Sequence, residues 1–432
     1  MRKGKQKIRN FASEMAIIRP IIDILRSTRT LGFFLLLFFA VCQSPARETT
    51  ACDSIKTPGE DRADTKQSAA AVPDSVKTDA KKQGDIFSRI IAYFDDTNKP
   101  KENKTFDFSI IGGPHYSSDA GFGIGLLAAG LYHTDPADTI TPPSSVSIFA
   151  DATTNKYFNI GVEGYHLFAR DTYRLTYECR LQSLSTKFWG IGYRQEICDD
   201  NESKYDYLRV KVNSRFLFHP GRHIYMGPKF VFDYVHGRNF EKPWLWADES
   251  AVTTTFGPGF SFQFDSRDNL SNAWSGLYIA LDQDFFPAFI GNKHAYSRTE
   301  LTVSGYHRVW RGGVLAWRGH TSIGYGDMLW SQLSELGDGH SMRGYYQGRY
   351  RDKCSWDACI ELRQHVWRRN GIALWLGCGE VFRKISLMRF DQILPNAGVG
   401  YRWEFKHRVN IRIDVGFGRD GAGFMFNINE AF

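Results

Sequence analysis

Leu208-Arg209-Val210-Lys211-Val212-Asn213-Ser214-Arg215-Phe216 decides the fold class. Apolar residues occupy nearly every second position, and Arg209, Lys211, Asn213 and Arg215 stand between them. Side chains of a β-strand alternate between two faces with a period of two, so this stretch has one greasy face and one charged face. The pattern returns in Val409-Asn410-Ile411-Arg412-Ile413-Asp414-Val415-Gly416-Phe417. Phe158, Ile160 and Val162 alternate with Asn159, Gly161 and Glu163, and Ala358, Ile360 and Leu362 with Cys359, Glu361 and Arg363. From about Thr105 to Phe432 period two holds, which is the signature of strands rather than of helices.

A soluble β-sandwich also alternates, with its apolar face turned into a protein core. Two features favour a membrane barrel instead. The strand candidates run to about 10 residues or more, enough to cross a bilayer when tilted, whereas soluble strands cluster near 5–6. Aromatic residues also crowd the strand ends (Tyr157, Phe158, Phe216, Phe218, Tyr401, Trp403, Phe405), as interfacial girdles require. Turn signals divide residues 105–432 into sixteen strand candidates. Tight connections fall at Ala169–Thr172, His219–His223, Arg311–Gly313, Arg368–Gly371 and Lys406–Arg408. Long ones fall at Ser183–Ser203, His236–Ser250, Asp327–Arg351 and Lys384–Gln392. The expected fold is therefore all-β, a 16-stranded antiparallel transmembrane barrel in the cell outer membrane, with its short turns on the periplasmic side.

The chain has 432 residues and a formal net charge of +7. Residues 1–46 carry eight basic and two acidic side chains, so nearly all of the excess lies there. A basic region, the apolar run Leu31–Val41 and Ser44-Pro45-Ala46 read as a signal peptide cleaved after Ala46, with Met15 as an alternative start. Lipidation at Cys42 fits less well, because Phe39-Ala40-Val41 is a poor match to the small residue wanted before a lipidated cysteine. The apolar run is also shorter than the ~20 residues of a spanning helix. Residues 47–83 are rich in Lys, Asp, Ala, Thr and Ser and read as a disordered periplasmic tether. Residues 84–95 read as a short amphipathic helix, with Ile86, Phe87, Ile90, Ile91 and Phe94 on one face and Asp85 as its cap.

The nearly neutral remainder has no clustered basic patch, which argues against a nucleic-acid partner. The cysteines lack metal-ligand spacing, so no metal and no cofactor are expected; a bridge between Cys198 and Cys354, both assigned to outer loops, is conceivable. His340-Ser341 is the one tempting nucleophile–base pair, but adjacent residues do not make a dyad. The expectation is that the protein is not an enzyme.

Four segments resemble the BamA/TamA (surface-antigen) superfamily of outer-membrane barrels, in the family's order. Met342-Arg343-Gly344-Tyr345-Tyr346-Gln347-Gly348-Arg349-Tyr350-Arg351-Asp352 resembles its loop-six motif. Ile360-Glu361-Leu362-Arg363 resembles the E-L-R element on the strand that follows. Phe264-Asp265-Ser266-Arg267-Asp268-Asn269 with Trp274-Ser275-Gly276 resembles the family's periplasmic turn, and Phe188-Trp189-Gly190-Ile191-Gly192 its F-x-G-x-G segment. The resemblance implies that loop six folds into the lumen and that Arg343 pairs with acids on strands twelve and thirteen. Arg343, Gly344, Tyr345 and Gly348 would form the loop side of this lock, and Glu361 and Arg363 its receiving side. The second acidic position falls on Gly377, so half of the family's acidic pair is expected to be missing. The end of the chain, with Phe426, Ile428 and the terminal Phe432, resembles the assembly signal of such barrels.

Members that assemble or secrete proteins carry periplasmic POTRA domains, and the 58 residues between Ala46 and Thr105 are too few for one. The resemblance thus implies a barrel-only member acting in protein or lipid insertion or translocation. Its expected partners are outer-membrane lipid, the barrel-assembly machinery for its own insertion, and a periplasmic or outer-membrane protein that supplies docking. The alternative is a passive or gated pore for small solutes, since Arg209, Lys211, Arg215, Arg363, Arg402 and Arg412 share the inner face with Glu163, Glu361, Glu404 and Asp414.

Overall fold

A computed structural model describes residues 106–117, 121–134, 141–246, 249–406 and 408–432. The signal segment 1–46, the tether 47–83 and the helix 84–95 lie outside the described residues. Sixteen long strands form one sheet: β1 Phe106–Ser117, β2 Gly121–Tyr132, β3 Ser144–Thr153, β4 Phe158–Leu167, β5 Tyr173–Phe188, β6 Ser203–Gly221, β7 Ile224–Arg238 and β8 Val252–Asp265, then β9 Gly276–Phe286, β10 Tyr296–Trp310, β11 Gly313–Gly326, β12 Cys354–Trp367, β13 Asn370–Phe382, β14 Leu394–Lys406, β15 Val409–Gly418 and β16 Gly421–Ile428. Each pairs antiparallel with the next, in unbroken chain order. A two-residue ladder, Ser334–Glu335 with Arg351–Asp352, lies apart from this sheet in the connection between β11 and β12.

The sheet curls until its ends face one another. One crevice is lined by Ala129, Gly130 and Leu131 of β2, by Ser145 and Ser147 of β3, and by Val409, Ile428 and Asn429 at the other end of the strand order. The wall is inverted relative to a soluble protein. On β13, Ile372, Leu374 and Leu376 are exposed on the outside, whereas Ala373 and Trp375 are buried within. On β15 Arg412 and Asp414 are fully buried while Phe417 is exposed. An apolar outer surface of this kind is stable against lipid, and the inner face can carry charge.

The period-two reading finds the sixteen strands, but the connection expected at Ser183–Ser203 is shorter, because β5 stays paired with β6 as far as Phe188; the short turns have a local cause. Arg222-His223, Arg311-Gly312 and Arg368-Arg369 are two-residue hairpin turns between long strands. His223, Gly312 and Arg368 take positive φ values of 65°, 77° and 51°, as the twist of a two-residue hairpin demands. Two connections at this end are long, residues 133–143 between β2 and β3 and Ser266–Ser275 between β8 and β9, and the second folds across the mouth.

The packed apolar clusters sit at the two ends. At the long-loop end Leu336, Met342, Tyr345, Tyr350, Val381 and Leu394 form one, and Phe188, Tyr205, Val235, Trp246 and Trp330 another. At the short-turn end Ala273, Tyr306 and Ala316 take in Phe432. Cys198 and Cys354 are both free thiols. Cys354 is buried at the start of β12, with its sulfur toward the carbonyls of Gly324 and Arg383, so the considered bridge does not form.

Candidate functional site

Loop six, the connection between β11 and β12, enters the lumen as one folded unit. Met342 (φ 49°) and Gly344 (φ 114°) turn the backbone inward. Gly344 is required there: a Cβ would stand 2.6 Å from the carbonyl carbon of Gly416 and 2.7 Å from the nitrogen of Phe417. Gly416 on β15 answers it, since a Cβ there would lie 2.3 Å from the Arg343 oxygen. Two glycines thus let the loop backbone lie against the wall, Gly344 by its φ and both by a separation that leaves no room for a Cβ.

That contact delivers Arg343 to its partners. Its guanidinium donates to Glu361 Oε2 on β12 (2.5 Å) and to Asp414 Oδ2 on β15 (2.9 Å), and it lies 3.7 Å over the Trp375 ring of β13. The side chains of Arg343, Glu361 and Asp414 are at most 1% exposed. Charge-assisted bonds in such a place are short and directional.

The second carboxylate is therefore not at the position expected on β13. Gly377 has no side chain, and Asn396 of β14 occupies the space, its Oδ1 being 2.4 Å from where a Cβ would stand. Asn396 Nδ2 donates to the Arg343 carbonyl (3.0 Å). Asp414 supplies the missing acid from two strands further on.

Around this pair the lumen holds a buried charge cluster. Glu361 also receives Arg363 Nε (2.7 Å) and lies 3.7 Å from Arg402. Asp414 receives Arg402 (2.6 Å) and lies 3.3 Å from Arg412. Glu430, just past β16, receives Arg402 (2.8 Å) and Asn410 (2.6 Å). Four arginines thus face three carboxylates. Arg402, Arg412 and Asp414 were legible as inward-facing by alternation alone. Glu430 was not, because it follows Asn429, whose φ of 68° breaks the strand.

The same break redirects the end of the chain. Phe426 faces outward and is exposed, and Ile428 ends β16. Phe432 instead turns into the lumen, where it packs beside Tyr306 (6.4 Å) and Arg363 (5.2 Å). Its backbone oxygen accepts from Arg363 (2.9 Å). The outward aromatics of β16 are therefore Phe424 and Phe426.

Tyr345 and the residues after it dock elsewhere. Tyr345 Oη donates to the Pro395 carbonyl (2.6 Å) and accepts from the Arg419 amide (3.0 Å); burial pushes its phenol up to about 12. Gly348 (φ 75°) passes the Arg351 side chain, whose Nε donates back to its carbonyl (2.7 Å). The Phe188–Gly192 segment lies against this part of the loop: Arg351 stands 4.9 Å over the Phe188 ring and Arg349 5.0 Å over Trp189. Glu196 sits beneath. Its Oε1 accepts from the amides of Arg351 (2.7 Å) and Gly192 (3.2 Å), while Oε2 is buried without a partner. Burial raises the Glu196 carboxyl well above the usual carboxylate range.

At the opposite mouth the turn residues form their own lattice. Asp265 receives Arg267 (2.9 Å) and Arg174 (3.2 Å). Asp268 Oδ1 caps the amides of Trp274 and Ser275, and Oδ2 receives Arg408 from the β14–β15 turn (2.6 Å). Asn269 Oδ1 accepts from the amides of Ser271 and Asn272. Among the described residues no group of His, Cys, Asp and Glu side chains could hold a metal ion.

The family model of the Omp85 superfamily domain matches residues 127–432. No curated protein sequence matches the chain. Among solved structures, BamA from Haemophilus ducreyi lacking POTRA domains 1–3 is similar at 12% identity and a TM-score of 0.48, over 76% of this chain and 70% of that one. CdiB from Acinetobacter baumannii gives 11% identity and 0.48 over 76% and 60% of the two chains. CdiB from Escherichia coli gives 8% and 0.49 over 76% and 62%. The chain thus spans less than two thirds of either CdiB.

Proposed function

The chain belongs to the Omp85 superfamily and is an outer-membrane barrel, and from that premise we propose that it acts in outer-membrane biogenesis, inserting or translocating protein or lipid with a partner that supplies periplasmic docking. The observation that carries this reading is the placement of loop six. Arg343 ties the loop to β12 and to β15, the first strand of the final hairpin, which stiffens the wall there. The closing strands are thereby flanked by a rigid support on one side. On the other, the crevice beside them is lined by Ala129, Gly130 and Leu131 of β2 and by Ser145 and Ser147 of β3, mostly small side chains. A seam next to a braced wall can part without unfolding the barrel.

The test is a set of cysteine pairs scanned along β1 and β16 in the native host. Locking the seam should disturb outer-membrane protein or lipid composition as strongly as loss of the gene, and reductant should reverse the effect. A locked barrel that leaves the membrane unchanged, while the deletion changes it, overturns the proposal.

A second reading, a gated pore for small solutes, is favoured by the exposure of one side of the lumen. Glu163 is 50% exposed, and Arg180 and Lys211 about a third, so charges along β4–β6 are open to solvent while those on β12–β15 are buried. Planar-bilayer currents, with and without residues 84–94, distinguish the two: a large steady conductance supports the pore. We propose no catalytic role; the His340 ring nitrogen Nδ1 engages the Ala431 carbonyl (2.6 Å) rather than a nucleophile.

A further inference from the structure

The connection between β13 and β14 lies on the outside of the barrel, and Glu380 shows where. Ile372, Leu374 and Leu376 of β13 face outward, and the same alternation puts Glu380 on the outer face. It is nevertheless completely buried. Trp356, opposite it on the outer face of β12, donates Nε1 to Glu380 Oε2 (3.3 Å), and the backbone N–H of Arg389 donates to Oε1 (2.7 Å). Arg389 belongs to the connection. The segment therefore folds back over the outer wall instead of over the mouth.

Glu380 stands about 13 Å along the strand from Leu376 at ~3.3 Å per residue. That is the rim of an outward apolar band about 25 Å tall. The covering segment is itself apolar and cationic: Ile385, Leu387, Met388 and Phe390 are exposed, Phe390 by 69%, and Arg383, Lys384 and Arg389 are exposed beside them. Arg389 is paired with Asp391 (2.9 Å), which leaves Arg383 and Lys384 as the net cations. Two other connections at this end repeat the combination, with Trp244 near Lys242 and Phe289 near Lys293, both aromatics exposed.

We propose that residues 383–391 form an interfacial anchor in the outer leaflet. Ile385, Leu387, Met388 and Phe390 enter the acyl boundary, and Arg383 and Lys384 bind the phosphates of anionic lipid headgroups. The occupant is lipid because the segment continues the row Ile372–Leu374–Leu376 on one wall, and its charge complements an anionic surface. Amphipathic side chains at that depth are what fixes a barrel's tilt and height in a bilayer. The inference does not depend on whether the seam opens.

The test uses the full barrel in nanodiscs holding one copy each. Phe390→Trp in discs of brominated-chain phosphatidylcholine should lose more than half of the fluorescence that the substitution adds over the parent. No loss overturns the anchor, and is the result expected if the segment instead docks a protein or a second copy. In discs of phosphatidylglycerol the parent should unfold at a higher temperature than in phosphatidylcholine, and Arg383→Gln with Lys384→Gln should abolish that difference. Equal midpoints for the parent in the two lipids overturn the phosphate contact. Heat-modifiable migration on gels checks that each variant is folded.

Discussion

At the residue scale the lumen cluster sets which side chain matters most. Four arginines facing three carboxylates is a surplus of one cation. Removing Arg343 balances the count, because Glu361 keeps Arg363 and Arg402, and Asp414 keeps Arg402 and Arg412. Removing Glu361 leaves four arginines against two acids in a buried cluster. Breaking a buried pair by deleting the partner that several charges share costs about 3–5 kcal/mol, whereas loss of one charged hydrogen-bond donor costs about 1–3 kcal/mol. Both Arg343→Ala and Glu361→Ala should lower the temperature at which the barrel changes migration on gels, Glu361→Ala more. The reverse order would show that loop six, and not the charge balance, holds the wall. Gly344→Ala should release loop six altogether, since its φ of 114° and the Gly416 backbone leave no room. Gly348→Ala, near the left-handed region and meeting the end of the Arg351 side chain rather than backbone, should cost less, about 1–2 kcal/mol. Proteolysis after Arg349 and Arg351 in the folded barrel reads the difference.

At the scale of elements, the Phe188–Glu196 segment and loop six are joined by one buried carboxyl. The proton on Glu196 is bound more tightly in the folded protein than in the unfolded chain. Its contribution is therefore complete at low pH and is lost as pH rises through the raised value. Thermal resistance should therefore fall as pH rises above the ordinary carboxylate range. Glu196→Gln keeps an acceptor for the amides of Gly192 and Arg351 and should flatten that fall. A parent and variant with the same pH profile would rule out Glu196 as its origin. The F-x-G-x-G and R-G-Y segments were each visible in the chain as separate motifs. That Trp189 packs on Arg349 and Phe188 on Arg351 was not, because over 150 residues separate them and local pattern carries no term for such a contact.

At the scale of the whole molecule, the turn after β8 reaches across to the last strands. Asp268 both caps its own turn and holds Arg408, so Asp268→Ala should cost about 1–2 kcal/mol, and Asp268→Asn, which keeps the cap, less. Equal losses in heat-modifiability for both would show that the charge across the mouth is the part that counts. The strands, their number and the short turns follow from alternation and from hairpin geometry, both of which are properties of neighbours in sequence. The order of residues alone determines them, and with them the inward direction of Arg363, Arg402, Arg412 and Asp414. What only the tertiary structure decided is which of those charges meet. Asp414 takes the place expected near Gly377, Asn429 swings Glu430 and Phe432 into the lumen, and Glu380 draws a loop down the outer wall. Each depends on the curl and stagger of the sheet, which bring distant strands to one height; a period of two says which face a residue is on, not what stands across from it.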